Sequence, residues 1–421
     1  MTERPPLLRI DDLAAPQFSA EVAEIRDVVA ALAEGVELEP DAVIAEARAQ
    51  TGLSELAADD AYHERLAVVL RSLRDEANLG AFGRYSMFST FTGLVKNRLL
   101  VTDLLARHPE IHDVDIARPI VICGLPRTGT THLHNLMSAD PNLRSLPYWE
   151  SLEPVLSDAE RPAPGEPDPR RARCDMAVGM IDASMPLFKR MHEMTTDHVH
   201  EEIQLLAVDM STMLFESMAY VPTWRAYYES HDQTPHYEYL RTLLKVLTFL
   251  RGGERWVLKS PQHLEQMVPL ARTFPDATFV VTHRDPVSVV VSMVTMLAYG
   301  ARMSAAVVDP VAIGREWADR LEKMLRAAVR DRDSLPAAQS TDVLFHEFMA
   351  DDLSTVERVY ELADQPLDTG SRQAMADYMA DHPRGRFGAI DYDAAQLGLD
   401  RGELRERFAF YTDRFAVLLE D

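Results

Sequence analysis

The 421-residue sequence predicts an α/β fold: a P-loop-type parallel β-sheet flanked by helices, with an N-terminal helical region and a helical insertion. Three observations carry this. A β-branched apolar run, Pro119-Ile-Val-Ile-Cys-Gly124, ends in a glycine-containing loop and then a helical start at 132–137. Three later apolar runs, 255–258, 278–282 and 342–345, are each followed by a helical pattern, at 262–273, 286–297 and 352–363. Everything before the first run has apolar residues at helical spacing. Strand–helix alternation argues for a parallel sheet with both faces covered, and buried parallel strands read as continuous apolar runs.

The elements follow in order. Residues 20–32 place Val22, Ile25, Val28, Val29 and Leu32 on one helical face. Residues 40–48 and 59–77 continue the pattern, with Leu66, Val69, Leu70 and Leu73 aligned in the latter, and 87–105 predict another helix. Such helices could form a cap, an oligomer interface or a lid, and periodicity does not choose among them. The expected division is a helical region over 1–115 and a P-loop domain over 116–421. Inside the latter, a polar, proline-rich loop (158–171) precedes a helical block at about 172–250. Residues 401–420 predict an amphipathic C-terminal helix carrying Leu404, Phe408, Tyr411, Phe415 and Leu418.

Composition narrows the function. Acids outnumber bases 67 to 43, a formal charge of −24. Such a chain is a poor partner for nucleic acid or anionic lipid, so any bound anion needs a local basic site. Two cysteines exclude a disulfide scaffold, and Cys123 and Cys174 read as reduced thiols. The first twelve residues lack the apolar core of a signal peptide, and the longest apolar stretch, 287–299, is short for a transmembrane segment. The expected location is cytoplasmic.

Gly124-Leu-Pro-Arg-Thr-Gly-Thr-Thr131 carries the chemistry. It has the G-x-x-x-x-G spacing of a phosphate-binding loop, with Thr131 at the Ser/Thr position and Thr130 where the ATPase lysine would stand. Backbone N–H groups at a helix N-terminus converge on an anion, and Arg127 adds charge from within the loop. An arginine and two threonines suit a less charged phosphoanhydride than a metal-bound triphosphate.

The sequence resembles the P-loop sulfotransferases that use 3′-phosphoadenosine-5′-phosphosulfate (PAPS). Pro126-Arg-Thr-Gly-Thr-Thr131 resembles the loop that holds the 5′-phosphosulfate, which implicates Arg127, Thr128, Gly129, Thr130 and Thr131. Val280-Val-Thr-His-Arg-Asp-Pro-Val-Ser-Val-Val-Val-Ser292 resembles the 3′-phosphate site, and Trp256-Val-Leu-Lys-Ser-Pro-Gln-His263 the end of the catalytic strand. Phe345-His-Glu-Phe348 and the aromatic C-terminal helix add to the match. Gln50-Thr-Gly-Leu53 and Lys96-Asn-Arg-Leu99 extend it toward bacterial, chiefly actinobacterial, members.

Arg284 and Ser292, eight residues apart across a strand end and a helix, suit a phosphate monoester by themselves, as a charged fork and a neutral hydroxyl. Directly after an apolar strand, Lys259 is expected at the C-terminal sheet edge, and the resemblance assigns it to the oxygen bridging phosphate and sulfate. His263 is the first choice for general base, with His200-Glu201-Glu202, read as helical, as the competitor. Gln204 stands where a zinc-protease motif needs its second histidine, and no metal site is expected. Arg384-Gly-Arg386 is similar to the family's basic segment over the cofactor. Eight of the nineteen methionines fall between Met176 and Met218, which suits either an adaptable apolar cleft or ordinary core. The resemblance implies sulfuryl transfer from PAPS to a hydroxyl on a small-molecule, glycan or lipid acceptor, with a homo-oligomer open. A P-loop kinase or NTPase and a non-catalytic nucleotide-binding protein are the alternatives.

Overall fold

The computed structural model describes residues 5–56 and 60–420, so Asp59, where the third helix was expected to begin, lies outside the described residues, as do residues 1–4. Four strands form the sheet: β1 (Ile120–Cys123), β2 (Val257–Ser260), β3 (Thr278–His283) and β4 (Ser340–Leu344). All neighbours are parallel and the order is β2-β1-β3-β4. Alternation along each strand splits the core into two layers. Val121, Leu258, Phe279 and Val281 face one layer; Ile120, Ile122, Val257 and Val280 face the other.

The second layer is closed by α5 (Thr130–Ser138), through Leu133, Leu136 and Met137, and by helix Asp352–Ala363. The first is closed by helices Pro286–Gly300 and Pro310–Asp331 and by much of the N-terminal half. Pro286–Met303 is long and apolar enough to cross a membrane, with mean hydropathy 1.3. Here it is a core helix, with Val289, Val290 and Val294 fully buried.

The run expected at 255–258 forms its strand two residues later. Arg255 and Val257 instead bond Arg144 on their flank: Arg144 N–H donates to the Arg255 carbonyl at 2.7 Å and Val257 N–H to the Arg144 carbonyl at 2.9 Å. The ladder with β1 then runs Ile122 to Lys259 and Cys123 to Ser260. Lys259 therefore lies inside β2 rather than after it.

The N-terminal helices are α1 (Ala20–Leu32), α2 (Pro40–Thr51), α3 (Asp60–Asp75) and α4 (Ala81–Arg107). On α1 only Val22 of the expected face is buried; Ile25, Val28 and Leu32 are exposed. Helix α4 starts six residues earlier than its apolar pattern suggests, because tertiary contact holds its first turn. Gly80 N–H donates to the Ser304 carbonyl at 2.9 Å, and a Cβ at Gly83 would lie 2.0 Å from that oxygen. This close approach docks α4 against the end of the Pro286–Gly300 helix.

The block at 172–250 is not continuously helical. Helices Pro169–Ser184, Ile203–Val208, Leu214–Met218, Pro222–Ser230 and Thr234–Arg251 are separated by loops. His200-Glu201-Glu202 is irregular rather than helical, because its backbone is taken by a neighbouring extended segment. His200 N–H donates to the Leu146 carbonyl at 2.7 Å, and Tyr148 N–H to the His198 carbonyl at 2.8 Å. The C-terminal helix, Arg401–Phe415, ends at left-handed Ala416, leaving Leu418 beyond it and exposed. Cys123 and Cys174 are both buried and unpaired with each other.

Gly83→Ala should destabilise the fold by about 1–3 kcal/mol, the usual cost of overpacking against backbone that cannot yield. An unchanged urea midpoint would show that the α4 contact has slack.

Candidate active site

Ligands of open parallel sheets bind beyond the carboxyl ends of the strands, and a cleft of about 1000 Å³ opens there. Strand register explains its floor. Cys123 pairs with Val281, which brings Gly124 beside Thr282. A Cβ at Gly124 would lie 2.0 Å from the Thr282 hydroxyl oxygen. That hydroxyl lies 2.7 Å from the Thr128 hydroxyl, which donates to the Leu125 carbonyl at 2.6 Å. Thr128 thus ties the loop to β3 and turns its side chain away from the cleft.

Two left-handed residues, Arg127 (φ 70°) and Gly129 (φ 88°), then swing the chain into α5. No side chain caps α5, so its first-turn N–H groups have no intrahelical partner. Arg127, Gly129, Thr130 and Thr131 line the cleft at this point. The left-handed arginine is an uncommon conformation, of the kind that persists where the surroundings over-determine it.

Arg127 bonds neutral oxygens only. Its Nε donates to Ser292 Oγ at 3.0 Å and Nη2 to the Tyr392 hydroxyl at 3.4 Å, and Nη1 meets the Met191 carbonyl. Arg284 donates from Nη1 to the Arg127 carbonyl at 2.7 Å and stacks on Phe345, 4.0 Å from the ring centre. Arg284 and Ser292 therefore meet through Arg127, with Ser292 buried behind it. Arg284 also forks onto Glu420, from Nε and Nη2 at 2.6 and 2.7 Å. Sequence reasoning missed Glu420, since no spacing ties a terminal acid to a strand end.

Lys259 lines the same cleft, and its ammonium pairs with Glu201. Its backbone N–H donates to Glu202 Oε2 at 2.7 Å. Glu202 is fully buried, and burial holds its carboxyl well above the usual carboxylate range. Around Lys259 stand His192, His198 and His200, all in the cleft wall. Burial and then the neighbouring ammonium push His198 down to about 4; burial holds His192 and His200 well below the ordinary range. His200 Nδ1 is buried with no partner. Neither His192 nor His198 was singled out by the sequence, because nothing in their spacing announces a site.

His263 does not reach the cleft. It lies in the 3₁₀ turn Pro261–Glu265, fully buried, and accepts the Tyr237 hydroxyl on Nδ1 at 2.9 Å while Nε2 faces Glu202 at 3.4 Å. Burial, helped by Lys259, pushes it down to about 3. A neutral ring with its proton on Nε2 satisfies both neighbours. His263, expected to take an acceptor proton, is thus buried and is not among the residues that line the cleft. Arg384 and Arg386 line the rim, paired with Asp352 and Glu193. Of the methionines in the Met176–Met218 stretch, Met180, Met185, Met191, Met194, Met213 and Met218 line the cleft; Met176 is exposed and Met210 buried elsewhere. Among the described residues no group of histidines, cysteines or acids could hold a metal ion.

A sequence profile of the Sulfotransferase family matches residues 119–369, the span that builds the loop and all four strands. The chain belongs to the sulfotransferase family. Sulfotransferase STF1 from Mycobacterium tuberculosis H37Rv is similar over 88% of this chain and 98% of its own, with 31% identity and a TM-score of 0.77. STF9 from Mycobacterium avium is similar over 91% of this chain and 98% of its own, with 28% identity and a TM-score of 0.80. No curated protein matches the sequence. This sulfotransferase thus has the family's parallel sheet, and the likeness to STF1 and STF9 extends beyond the profile. The activity is sulfuryl transfer, which displaces the kinase and non-catalytic alternatives.

The buried histidines make stability depend on pH. In the unfolded chain each takes a proton near 6.5, but in the fold only near 3 for His263 and 4 for His198. Their contribution is complete above about pH 6.5 and is lost as pH falls toward the folded values. Urea titrations should show stability falling below pH 6. His263→Gln should reduce that slope by about 1.4 kcal/mol per pH unit. An identical slope in the variant would mean that His263 is protonated in the fold.

Proposed function

We propose that this sulfotransferase takes its sulfuryl group from PAPS, needs no metal, and works in the cytoplasm on a hydroxyl acceptor. The observation that carries the donor reading is Arg127, a half-buried cation with only neutral partners beside the uncapped start of α5. That combination fits an anionic phosphosulfate. Arg284, reached through the Arg127 carbonyl, fits a 3′-phosphate. It has guanidinium N–H groups beyond those bonded to Glu420 and Arg127. Thr130 and Thr131 contribute backbone N–H groups, and Arg384 and Arg386 close the rim. Ser292 orients Arg127, and Thr128 holds the loop.

Bound PAPS supplies an activated sulfuryl group: the acceptor O–S bond forms as the bridging O–S bond breaks, and the electron pair leaves on the phosphate. Lys259 Nζ then neutralises charge developing on that leaving oxygen. With Lys259 turned to the leaving group, Glu201 is released to accept the proton of the acceptor hydroxyl. We therefore assign the base to Glu201 instead of His263. Glu202 and His263 are positioning residues: Glu202 fixes the Lys259 backbone, and His263 fills the space behind it. His200 and His198 remain neutral in the wall and do not compete with Lys259 for the donor.

Calorimetry should show micromolar binding of 3′-phosphoadenosine-5′-phosphate without metal, with adenosine-5′-phosphate clearly weaker. Arg127→Ala should weaken it by at least about 1.5 kcal/mol, roughly tenfold, without unfolding the protein. Equal affinity for the two nucleotides would remove the 3′-phosphate site and with it the PAPS reading.

Single-turnover sulfation separates the candidate bases. Glu201→Gln should lose roughly 10²–10⁴ in rate with the nucleotide affinity kept, whereas His263→Gln should stay within about tenfold of the parent. A dead His263→Gln beside an active Glu201→Gln would reverse the assignment.

A further inference from the structure

The cleft is chemically divided. The lining cations Lys189, Arg190, Arg384 and Arg386 come from the 186–194 and 383–388 segments, and the others, Arg127, Lys259 and Arg284, stand at the strand ends. From there helix Pro286–Gly300 runs away from the phosphate loop, and past Ser292 it lines the cleft with Met293, Met296, Leu297 and Gly300. Eight residues from Ser292 to Gly300 make a wall about 12 Å long at 1.5 Å per residue. The cleft is also lined by Phe82 and Met87 of α4, by Met213, and by Met218 at the end of helix Leu214–Met218. No Asp, Glu, Lys or Arg lines the cleft from α4, from 213–218 or from 293–304.

The hydroxyls on this wall are partly spent. Ser217 donates to the Leu214 carbonyl at 2.7 Å, and Ser304 to the Met218 carbonyl at 2.8 Å. Ser86 and Thr90 are the further hydroxyls on this arm, so a sugar or other polyol would exchange its water for few partners, which is costly for each buried hydroxyl left unpaired. An alkyl chain loses nothing, and flexible thioethers repack around chains of different shape.

We propose that the acceptor is an uncharged alcohol with an alkyl chain of about ten carbons, its hydroxyl at Glu201 and Lys259 and its chain along the Met293–Gly300 wall. The length follows from the 12 Å wall and the reach of an extended chain, about 3.5 Å per three bonds. This deepens the sulfuryl-transfer reading and rests on it for the position of the hydroxyl. It also gives the N-terminal helices a role. Phe82 and Met87 lie outside the family-profile span, so chain recognition is built partly by residues added to the sulfotransferase core.

The test uses the full chain, PAPS and linear primary alcohols from ethanol to dodecanol, with glucose as the polar comparison. The expected result is kcat/KM rising about fourfold per methylene, the equivalent of about 0.8 kcal/mol each, and levelling near ten carbons. Glucose should be a poorer acceptor than 1-decanol. Met296→Glu should flatten the chain-length dependence and leave 3′-phosphoadenosine-5′-phosphate affinity unchanged, while Met296→Leu keeps the dependence. Calorimetry with 1-hexanol and 1-decanol alone reads the arm without turnover, and decanol should bind more tightly. Chain-dependent binding without sulfation, in a protein that does not bind the bisphosphate, would overturn the donor reading and leave the arm standing. Bisphosphate binding with no chain-length effect in either assay, or glucose surpassing decanol, would overturn the inference about the acceptor.

Discussion

The parallel register of β1 between β2 and β3 is the constraint on which the site depends. Cys123 pairs with Ser260 on one side and Val281 on the other, so β1 and β2 end at one level while β3 runs two residues further, to His283. The cleft residues are set by these strand ends: the glycine-containing loop follows β1, Lys259 is the penultimate residue of β2, and Arg284 follows β3. Gly124 makes the alignment usable, because only a residue without Cβ leaves room for Thr282 to hold Thr128. A displaced register would separate Arg127 from both Arg284 and Ser292.

Charge is arranged against the global field. In a chain of net charge −24, three of the cleft's cations are matched with a carboxylate: Arg284 with Glu420, Arg384 with Asp352 and Arg386 with Glu193. Arg127 bonds neutral oxygens instead and retains its full attraction for an anion. Lys259 is held by Glu201 among imidazoles that burial keeps neutral, so no second cation crowds it. In that pair each group masks the other's charge.

The sheet, the loop and α5 were legible in the sequence because they are local. β-branched runs bounded by glycine specify buried strands, and the spacing of Gly124 and Gly129 specifies the turn between them. Helix Asp352–Ala363 was readable to the residue, since Asp351 caps its start and Asp364 takes the left-handed turn at its end. Less legible were segments whose backbone partners are distant. The exposed face of α1 has the same periodicity as a buried one. The segment around His200 looks helical until Leu146 and Tyr148 take its hydrogen bonds.

The sequence by itself determined the family, the parallel sheet, and the placing of Arg127, Lys259 and Arg284 near one another, because strand ends and short loops leave little freedom. The tertiary structure alone decided which acids and imidazoles line the cleft. Lys259 and His263 are four residues apart, yet the 3₁₀ turn after β2 carries His263 behind the sheet to Tyr237. Glu201, 58 residues earlier in the chain, is brought to Lys259 by an extended segment hydrogen-bonded to 146–148. Side-chain direction in such a turn depends on what packs against it, and that packing comes from helices far away in the chain. For the same reason the methionine wall was ambiguous in sequence: a thioether stripe suits a core and a cleft equally until the opposite wall is in place.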